Sequence, residues 1–250
     1  MEIFYSPDIA QGGTRLDAIE SGHCIKVLRH RKGDTINIVD GAGTLFKCEI
    51  TDDNPRCVVF TVLERQEGYG SHPYRLHIAV APPKNKERFD WFVEKATEMG
   101  IDEISPIFGD YSERRIFKRD RTERIIISAA KQSHKGVIPL LNDPVTVKEF
   151  LECNSRPKSE IQPSETTPIR LICYCDEVES FGVMKMSITE ALRKGSSDVI
   201  VMIGPEGDFS REEIAKAIKF GWQPVSLGDS RLRIETAALT AVAAVYLANS

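Results

Sequence analysis

The sequence predicts an α/β chain in which a small β-rich segment precedes a larger domain built on a largely parallel sheet. Three observations carry this expectation. Residues 1 to about 70 hold short alternating stretches separated by turn signals. From residue 74 onward, short apolar runs alternate with amphipathic helical stretches, the pattern of a sheet with crossover helices. Between the two, Gln66 to Pro73 collects Gly68, Gly70, Ser71 and Pro73, the composition of a linker. The expected division is therefore 1–70 and 74–250, within reach of a 250-residue chain.

Taken in order, Lys32-Gly33-Asp34 is a turn, and Thr35 to Val39 alternates in strand fashion. Asp40-Gly41 signals a hairpin whose return strand is Leu45 to Ile50, and a further strand covers Cys57 to Leu63. In the second part, Leu76 to Ala81 is a short apolar strand. Phe89, Phe92, Val93, Ala96 and Met99 recur at spacings of three and four, which predicts a helix over Glu87 to Met99 stopped by Gly100. A strand at Ile104 to Ile107 and a helix at Arg119 to Ser133 follow. Leu171 to Cys175, Val199 to Ile203 and Val225 to Leu227 are buried-type strands. Ser210-Arg211-Glu212-Glu213 reads as a capping box for a helix ended by Gly221, and Glu235 to Leu247 as an alanine-rich helix. Residues 152–170, polar and rich in proline, are expected to be a mobile surface insertion.

The hydrophobic fraction of 41% and charged fraction of 28% are those of a soluble globular protein. No apolar run reaches the length of a membrane span and no secretion signal is read at the start, so a cytoplasmic protein is expected. Six cysteines without a C-x-x-C pair, beside five histidines, predict reduced thiols and no metal site. The net charge of −4 conceals a basic stretch from Arg114 to Lys135. There eight basic residues face only Asp120 and Glu123, a local net of +6. Such a field suits phosphates, although a solvated helix face with internal ion pairs has the same composition.

The most informative loop is Ile203-Gly204-Pro205-Glu206-Gly207, between a buried strand and a capped helix. Ligands of open α/β sheets bind beyond the carboxyl ends of strands. Gly204 and Gly207 permit close backbone approach and positive φ there. A second loop, Leu227 to Ala237, again joins a strand to a helix, so the two could form the lips of one cleft. Glu235 and Thr236 would stand near a helix N-terminus, where capping is their ordinary role. Arg233, flanked by Leu232 and Ile234, is either tied to a partner or aimed at a substrate. There is no G-x-x-x-x-G-K-[ST] phosphate loop, and Gly41-Ala42-Gly43 lacks the following helix that dinucleotide binding needs.

Five blocks in order resemble the ribosomal RNA small subunit methyltransferase E family. They are His23-Cys24-Ile25-Lys26-Val27-Leu28-Arg29 running into Lys32-Gly33-Asp34; Lys86 to Asp90 with Lys95 to Gly100; Ala130 to Ser133; the IGPEG string at 203–207; and LRIETA at 232–237 preceded by Ser226-Leu227-Gly228. The resemblance implies an N-terminal PUA-like β-barrel and a C-terminal SPOUT domain, an α/β fold with a trefoil knot. It implies a homodimer that binds S-adenosylmethionine in the knot and methylates N3 of a uridine in 16S rRNA of the small ribosomal subunit. Two positions depart from the family pattern: Asp208 stands where a second glycine is usual, and His134-Lys135 where arginine is frequent.

Carried onto this chain, the resemblance assigns cofactor contacts to Ile203, Gly204, Pro205, Glu206, Gly207, Leu227, Gly228, Leu232, Ile234 and Thr236. Arg233 is the expected catalytic cation and Glu235 a candidate base. Lys26, Arg29 and Arg31, with Arg114, Arg115, Arg119, Lys131 and Lys135, are the expected phosphate contacts. Two other readings remain open on the sequence: an RNA-binding assembly factor without catalysis, and a methyltransferase acting on tRNA or 23S rRNA.

Overall fold

Two sheets organise the structure, a computed structural model describing residues 2–113, 115–154, 168–175, 182–193 and 197–250. They belong to two compact units. Unit 1 comprises Met1–His72 together with Ile126–Ile138, and unit 2 comprises Pro73–Ile125 and Pro139–Ser250.

In unit 1, β1 (Ile3–Tyr5) pairs in parallel with β2 (Thr35–Val39). Strands β3 (Thr44–Asp52) and β4 (Val59–Glu67) continue the sheet in antiparallel order. Alternation turns Ile36, Ile38, Phe46, Cys48 and Ile50 inward, onto Phe4 and Phe60. The β2–β3 connection is held by Asp40, whose Oδ1 accepts from the amides of Ala42 (2.8 Å) and Thr44 (3.0 Å). Thr14 bonds to β4 through Phe60 N–Thr14 O (2.9 Å), and Leu16 to the residue just before it through Leu16 N–Val58 O (3.0 Å). Helix α1 (Ala18–Gly22), capped by Asp17, runs into a π-helical turn at His23–Val27. Periodicity signals neither β1 nor α1, because each is under two turns or repeats long.

The expected linker is different in the structure. Strand β4 extends to Glu67, and the Tyr69 amide donates to Gly43 O at 2.9 Å. Gly136 lies so close beneath Tyr69 that a Cβ there would stand 2.1 Å from the Tyr69 carbonyl oxygen. Polar, glycine-rich composition here reflects close backbone packing and not a free tether. Its partner, Ile126–Ile138, comes from later in the chain, where a linear division could not place it.

In unit 2, β5 (Arg75–Val80) is followed by α2 (Lys86–Met99), β6 (Glu103–Phe108) and α3 (Arg119–Gln132), whose last turns belong to unit 1. Then come β7 (Leu140–Leu141), β8 (Val145–Thr146), α4 (Val147–Asn154), β9 (Ile169–Cys173), β10 (Met186–Ser187), α5 (Ile188–Leu192) and β11 (Asp198–Ile203). The chain closes with α6 (Arg211–Lys219), β12 (Gln223–Ser226) and α7 (Ile234–Ala248). The sheet order is β10-β12-β9-β11-β5-β6-β7, with β8 also paired to β6, and every pairing is parallel. Helices α2, α5 and α7 pack together on one side, where Ala238, Ala241, Val242 and Val245 form the buried stripe of α7. On the other side, Phe150 and Leu151 of α4 and Ile214 of α6 cover Ile107, Ile172 and Met202, with Trp222 beside them.

Of the insertion expected at 152–170, residues 152–154 complete α4 and 169–170 begin β9. Residues 155–167 lie outside the described residues. Strands β7, β8 and β10 have two residues each, too few to show a period.

One buried polar network crosses β5 and β6. His77, 3% exposed, shares a 2.8 Å hydrogen bond between Nε2 and Ser105 Oγ. Asn142 Nδ2 donates to Glu103 Oε1 (2.7 Å) and Ser105 Oγ (2.8 Å), and Arg75 pairs with Glu103 and Asp198. Burial, with Arg75 reinforcing and Glu103 opposing it, pushes the His77 pKa down to about 4. The unfolded chain therefore takes up this proton first, near the ordinary value of 6.5. Stability is full above that value. It should fall by about 1.4 kcal/mol per pH unit as pH drops toward 4. In urea titrations at pH 7, 5.5 and 4.5, His77→Gln is expected to remove this component of the slope. Identical pH slopes in both proteins would show that His77 is not buried neutral.

Candidate active site

The register of the parallel sheet creates the site. Ile203 of β11 lies level with Val80 of β5 and Cys173 of β9, and Cys173 lies level with Val225 of β12. Four strands therefore end at one height, and the chain leaves each of them into a loop on the same edge. The loops after β9, β11 and β12, with Arg88 and Tyr111, line a cleft of about 910 Å³, within the range of roughly 300–1,000 Å³ usual for small-molecule sites.

One wall is the segment after β11. Gly204 and Pro205 are buried, while Glu206 and Gly207 are exposed at the rim. The glycines serve close approach and not positive φ, since neither has a left-handed backbone. A Cβ at Gly204 would lie 3.0 Å from the Phe209 ring, and one at Gly207 2.9 Å from Tyr111 Cβ. The left-handed residue is Asp208, at φ +66°. Aspartate is among the few residues that tolerate this region. Its carboxylate also ties the loop together: Oδ1 accepts from the Phe209 amide (2.8 Å) and Oδ2 from the Cys175 amide (2.6 Å). The departure from glycine at this position thus gains two hydrogen bonds. Glu206 Oε1 accepts from the Lys84 amide at 3.0 Å, joining this loop to the one after β5. Ser210 caps α6 in a complete capping box with Glu213, as expected, and also donates to Asp110 at 2.6 Å.

The opposite wall runs from Val225 to Ala237. Leu227, Gly228, Leu232, Arg233, Ile234 and Glu235 all line the cleft, whereas Thr236 does not. Gly228, at φ +123°, turns the chain. Arg233 is the N-cap residue of α7 but makes no side-chain capping bond. It is exposed and has no hydrogen bond or ion pair among the described residues, so of the two sequence alternatives it faces open cleft. Glu235, 9% exposed, stands in the first turn of α7 with Oε1 at 3.7 Å from Arg88 Nε. Arg88, Tyr111, the Cys173–Cys175 segment and Lys185 complete the lining and were not among the expected residues. The strand at 171–175 was legible, and its carboxyl end was the available signal for Cys173–Cys175. Arg88 stands in the Lys86 to Asp90 block of the resemblance, which marked the segment without giving Arg88 a role, and Tyr111 carried no signal.

The expected phosphate contacts divide. Lys26, Arg29 and Arg31 are exposed on and just after the π-helical turn of unit 1, and Arg29 holds a left-handed φ of +63°. Arg115 is exposed and donates to Gly109 O. Arg119 is fully engaged, with Glu123, Asp143 and the Leu141 carbonyl. Lys131 pairs with Glu20 and lies over the Phe4 ring, both within unit 1. Lys135 is partly buried, and burial pushes its pKa down. Arg114 lies outside the described residues. Among the described residues no His/Cys/Asp/Glu group has metal-binding geometry, and no helix is long and apolar enough to cross a membrane.

Comparison with known proteins matches two consecutive stretches of the chain. A family model for an RNA methyltransferase domain matches residues 70–246, and one for an RNA methyltransferase PUA domain matches residues 16–63. Ribosomal RNA small subunit methyltransferase E of Mesomycoplasma hyopneumoniae is 31% identical over 71% of this chain and 72% of its own length. A solved structure described as a probable rRNA-methyltransferase from Porphyromonas gingivalis is 36% identical, with a TM-score of 0.84 over 100% of this chain and 98% of that one. The ribosomal RNA small subunit methyltransferase E of Neisseria gonorrhoeae, solved bound to S-adenosyl methionine, is 25% identical. Its TM-score is 0.76 over 98% of this chain and 96% of that one.

Asp208→Ala keeps the strained φ and loses both loop hydrogen bonds, whereas Asp208→Gly relieves the strain while losing the same bonds. The alanine variant should lose about 1–3 kcal/mol, and the glycine variant less. In both, the Cys175 amide should exchange its hydrogen faster. Unchanged exchange at Cys175 would mean that the carboxylate does not hold the loop.

Proposed function

The chain belongs to the ribosomal RNA small subunit methyltransferase E family, and on that premise we propose that it transfers the methyl group of S-adenosylmethionine to N3 of a uridine in 16S rRNA of the small ribosomal subunit. The observation that carries this reading is the cleft at the level strand ends, with the IGPEG and LRIETA segments as its two walls and an unpaired arginine facing it. The cleft fits the cofactor: its volume is that of a nucleoside-sized site, and Gly204 and Gly207 let Phe209 and Tyr111, which also line it, pack directly against the wall.

Bound there, S-adenosylmethionine supplies a methyl group already activated by its sulfonium, so the chain's task is alignment, proton removal and exclusion of water. The backbone of Ile203–Gly207 and of Leu227–Leu232 holds the adenosine, with Ile234 behind it. Uridine N3 carries a proton and attacks only as that proton leaves, when negative charge spreads onto the flanking carbonyl oxygens. Arg233 is the cation placed to stabilise that charge. Glu235, steadied by Arg88, is the candidate acceptor of the proton. The N3–methyl bond forms as the sulfur–methyl bond breaks, and the sulfur keeps the electron pair.

Further features support the fuller reading. In the sheet, β11 lies between β5 and β9, while α7, reached only after β12 on the far side of β9, packs back against β5 and β11. That return passage is the topology a SPOUT trefoil knot requires. Trp91 on α2 and Tyr246 and Leu247 on α7 are exposed on helices that pack together, an apolar surface suited to a homodimer. The six free thiols suit a cytoplasmic site of action.

The test is methyl transfer from labelled S-adenosylmethionine to small subunits lacking the modification. Label in 3-methyluridine is the expected product. Cofactor binding with no label in 16S rRNA, 23S rRNA or tRNA would mean that the substrate lies elsewhere, and no cofactor binding either would mark a non-catalytic assembly factor. Arg233→Ala should lower turnover about 100-fold or more while cofactor affinity stays within about threefold; equal turnover would remove Arg233 from the chemistry. Replacing Lys26, Arg29 and Arg31 together by alanine should flatten the plot of log affinity against log salt by about two units. An unchanged slope would place the phosphate contacts elsewhere.

A further inference from the structure

A second, smaller cavity of about 90 Å³ opens on unit 2 beside Pro82 and Pro83. The next residue, Lys84, is the one whose amide bonds to Glu206 at the rim of the large cleft. The cavity shares no lining residue with that cleft. Two rings form its corner: Phe89, buried, and Phe117, partly open, lie 5.7 Å apart with planes at 87°. Ile116, 66% exposed, extends the apolar wall.

Around this corner stand Lys86, Lys118 and Arg121. Lys86 and Lys118 are exposed and make no ion pair among the described residues. Arg121 is fixed by the single acid of the lining, Asp90, through Nε (2.8 Å) and one terminal nitrogen (2.6 Å). Its other terminal nitrogen makes no hydrogen bond among the described residues.

This volume is far below the roughly 300 Å³ at which whole small-molecule sites begin, so the cavity takes one flat ring and not a second cofactor. An aromatic corner ringed by three cations matches an unpaired nucleotide, with its base against the rings and its phosphates on the lysines. The oriented Arg121 nitrogen adds a donor for a base carbonyl.

We propose that this cavity seats one unpaired nucleotide of the RNA substrate, distinct from the nucleotide being methylated, with its base in the Phe89–Phe117 corner and its phosphates on Lys86 and Lys118. Gripping a second nucleotide holds the strand open beside the cleft, which an enzyme acting on a base in structured RNA needs. The proposal rests on the RNA methyltransferase reading.

The experiment compares binding of a labelled ten-nucleotide oligouridine with the same oligonucleotide made abasic, by fluorescence anisotropy. The wild-type protein should prefer the base-bearing strand by about tenfold. Phe117→Leu keeps the apolar filling and loses the ring, so it should remove most of that preference while leaving S-adenosylmethionine affinity, read by calorimetry, unchanged. Lys86→Ala with Lys118→Ala should weaken both oligonucleotides alike. A preference that survives in both Phe117→Leu and Phe117→Ala overturns the proposal. So does Ile116→Glu altering the molecular mass by light scattering without altering RNA binding, since the pocket would then face another protein chain. Failure of the wild-type protein to methylate any RNA would sink the enzymatic reading alone, because the oligonucleotide comparison is read without catalysis.

Discussion

The constraint on which the site depends is the common height at which β5, β9, β11 and β12 end. In a parallel sheet each strand must be left by a crossover, so the exits gather on one edge. Level register at Cys173, Ile203 and Val225 then places three loops around one hollow, with the exit from β5 at Val80 level with them. A shift of one residue in β11 would turn Val201 and Ile203 to the opposite face and carry Gly204 out of line with its neighbours. The apolar character of these strands, buried on both faces, is thus what fixes the geometry of the cleft.

Within that hollow, close approach is secured by small residues and held by a few polar ties. Gly204 admits the Phe209 ring, and Gly207 admits Tyr111. Asp208 adopts the left-handed turn and fastens it to Cys175, while Glu206 fastens the same loop to Lys84. These bonds tie the loop after β11 to the segments after β9 and β5, so that wall of the cleft is braced from two sides. Preorganisation of this kind matters for methyl transfer, where the chain contributes geometry and charge more than covalent chemistry.

Charge is distributed with similar economy. The +6 stretch between Arg114 and Lys135 suggested a continuous phosphate-binding face, but much of it is structural: Arg119 anchors α3 to Asp143 and the Leu141 carbonyl, and Lys131 answers Glu20. Among the described residues, the cations that remain open include Lys26, Arg29 and Arg31 in unit 1, and Lys86, Lys118 and Arg233 in unit 2. An isolated acid buried near a cation-rich segment tends to claim one of its members, because an unpaired buried charge is costly. Net charge along the chain therefore overstated what is available to a ligand.

The sequence by itself determined the α/β class, the long helices, the buried strands and the two loops that became the walls of the cleft. Periodicity, capping residues and glycine placement act over a few neighbouring positions and are readable there; Phe89 to Met99 and the Ser210–Glu213 capping box show this plainly. The tertiary structure alone decided three things. It drew Ile126–Ile138 into unit 1, beneath Tyr69 and Gly43. It brought Arg88, from the Lys86 to Asp90 block, and Tyr111, from a segment with no motif of its own, into the cleft, and it chose which arginines stay open. The physical reason is the same in each case: these outcomes depend on contacts between residues tens to more than a hundred positions apart, and such contacts leave no local period, cap or turn for the sequence to display.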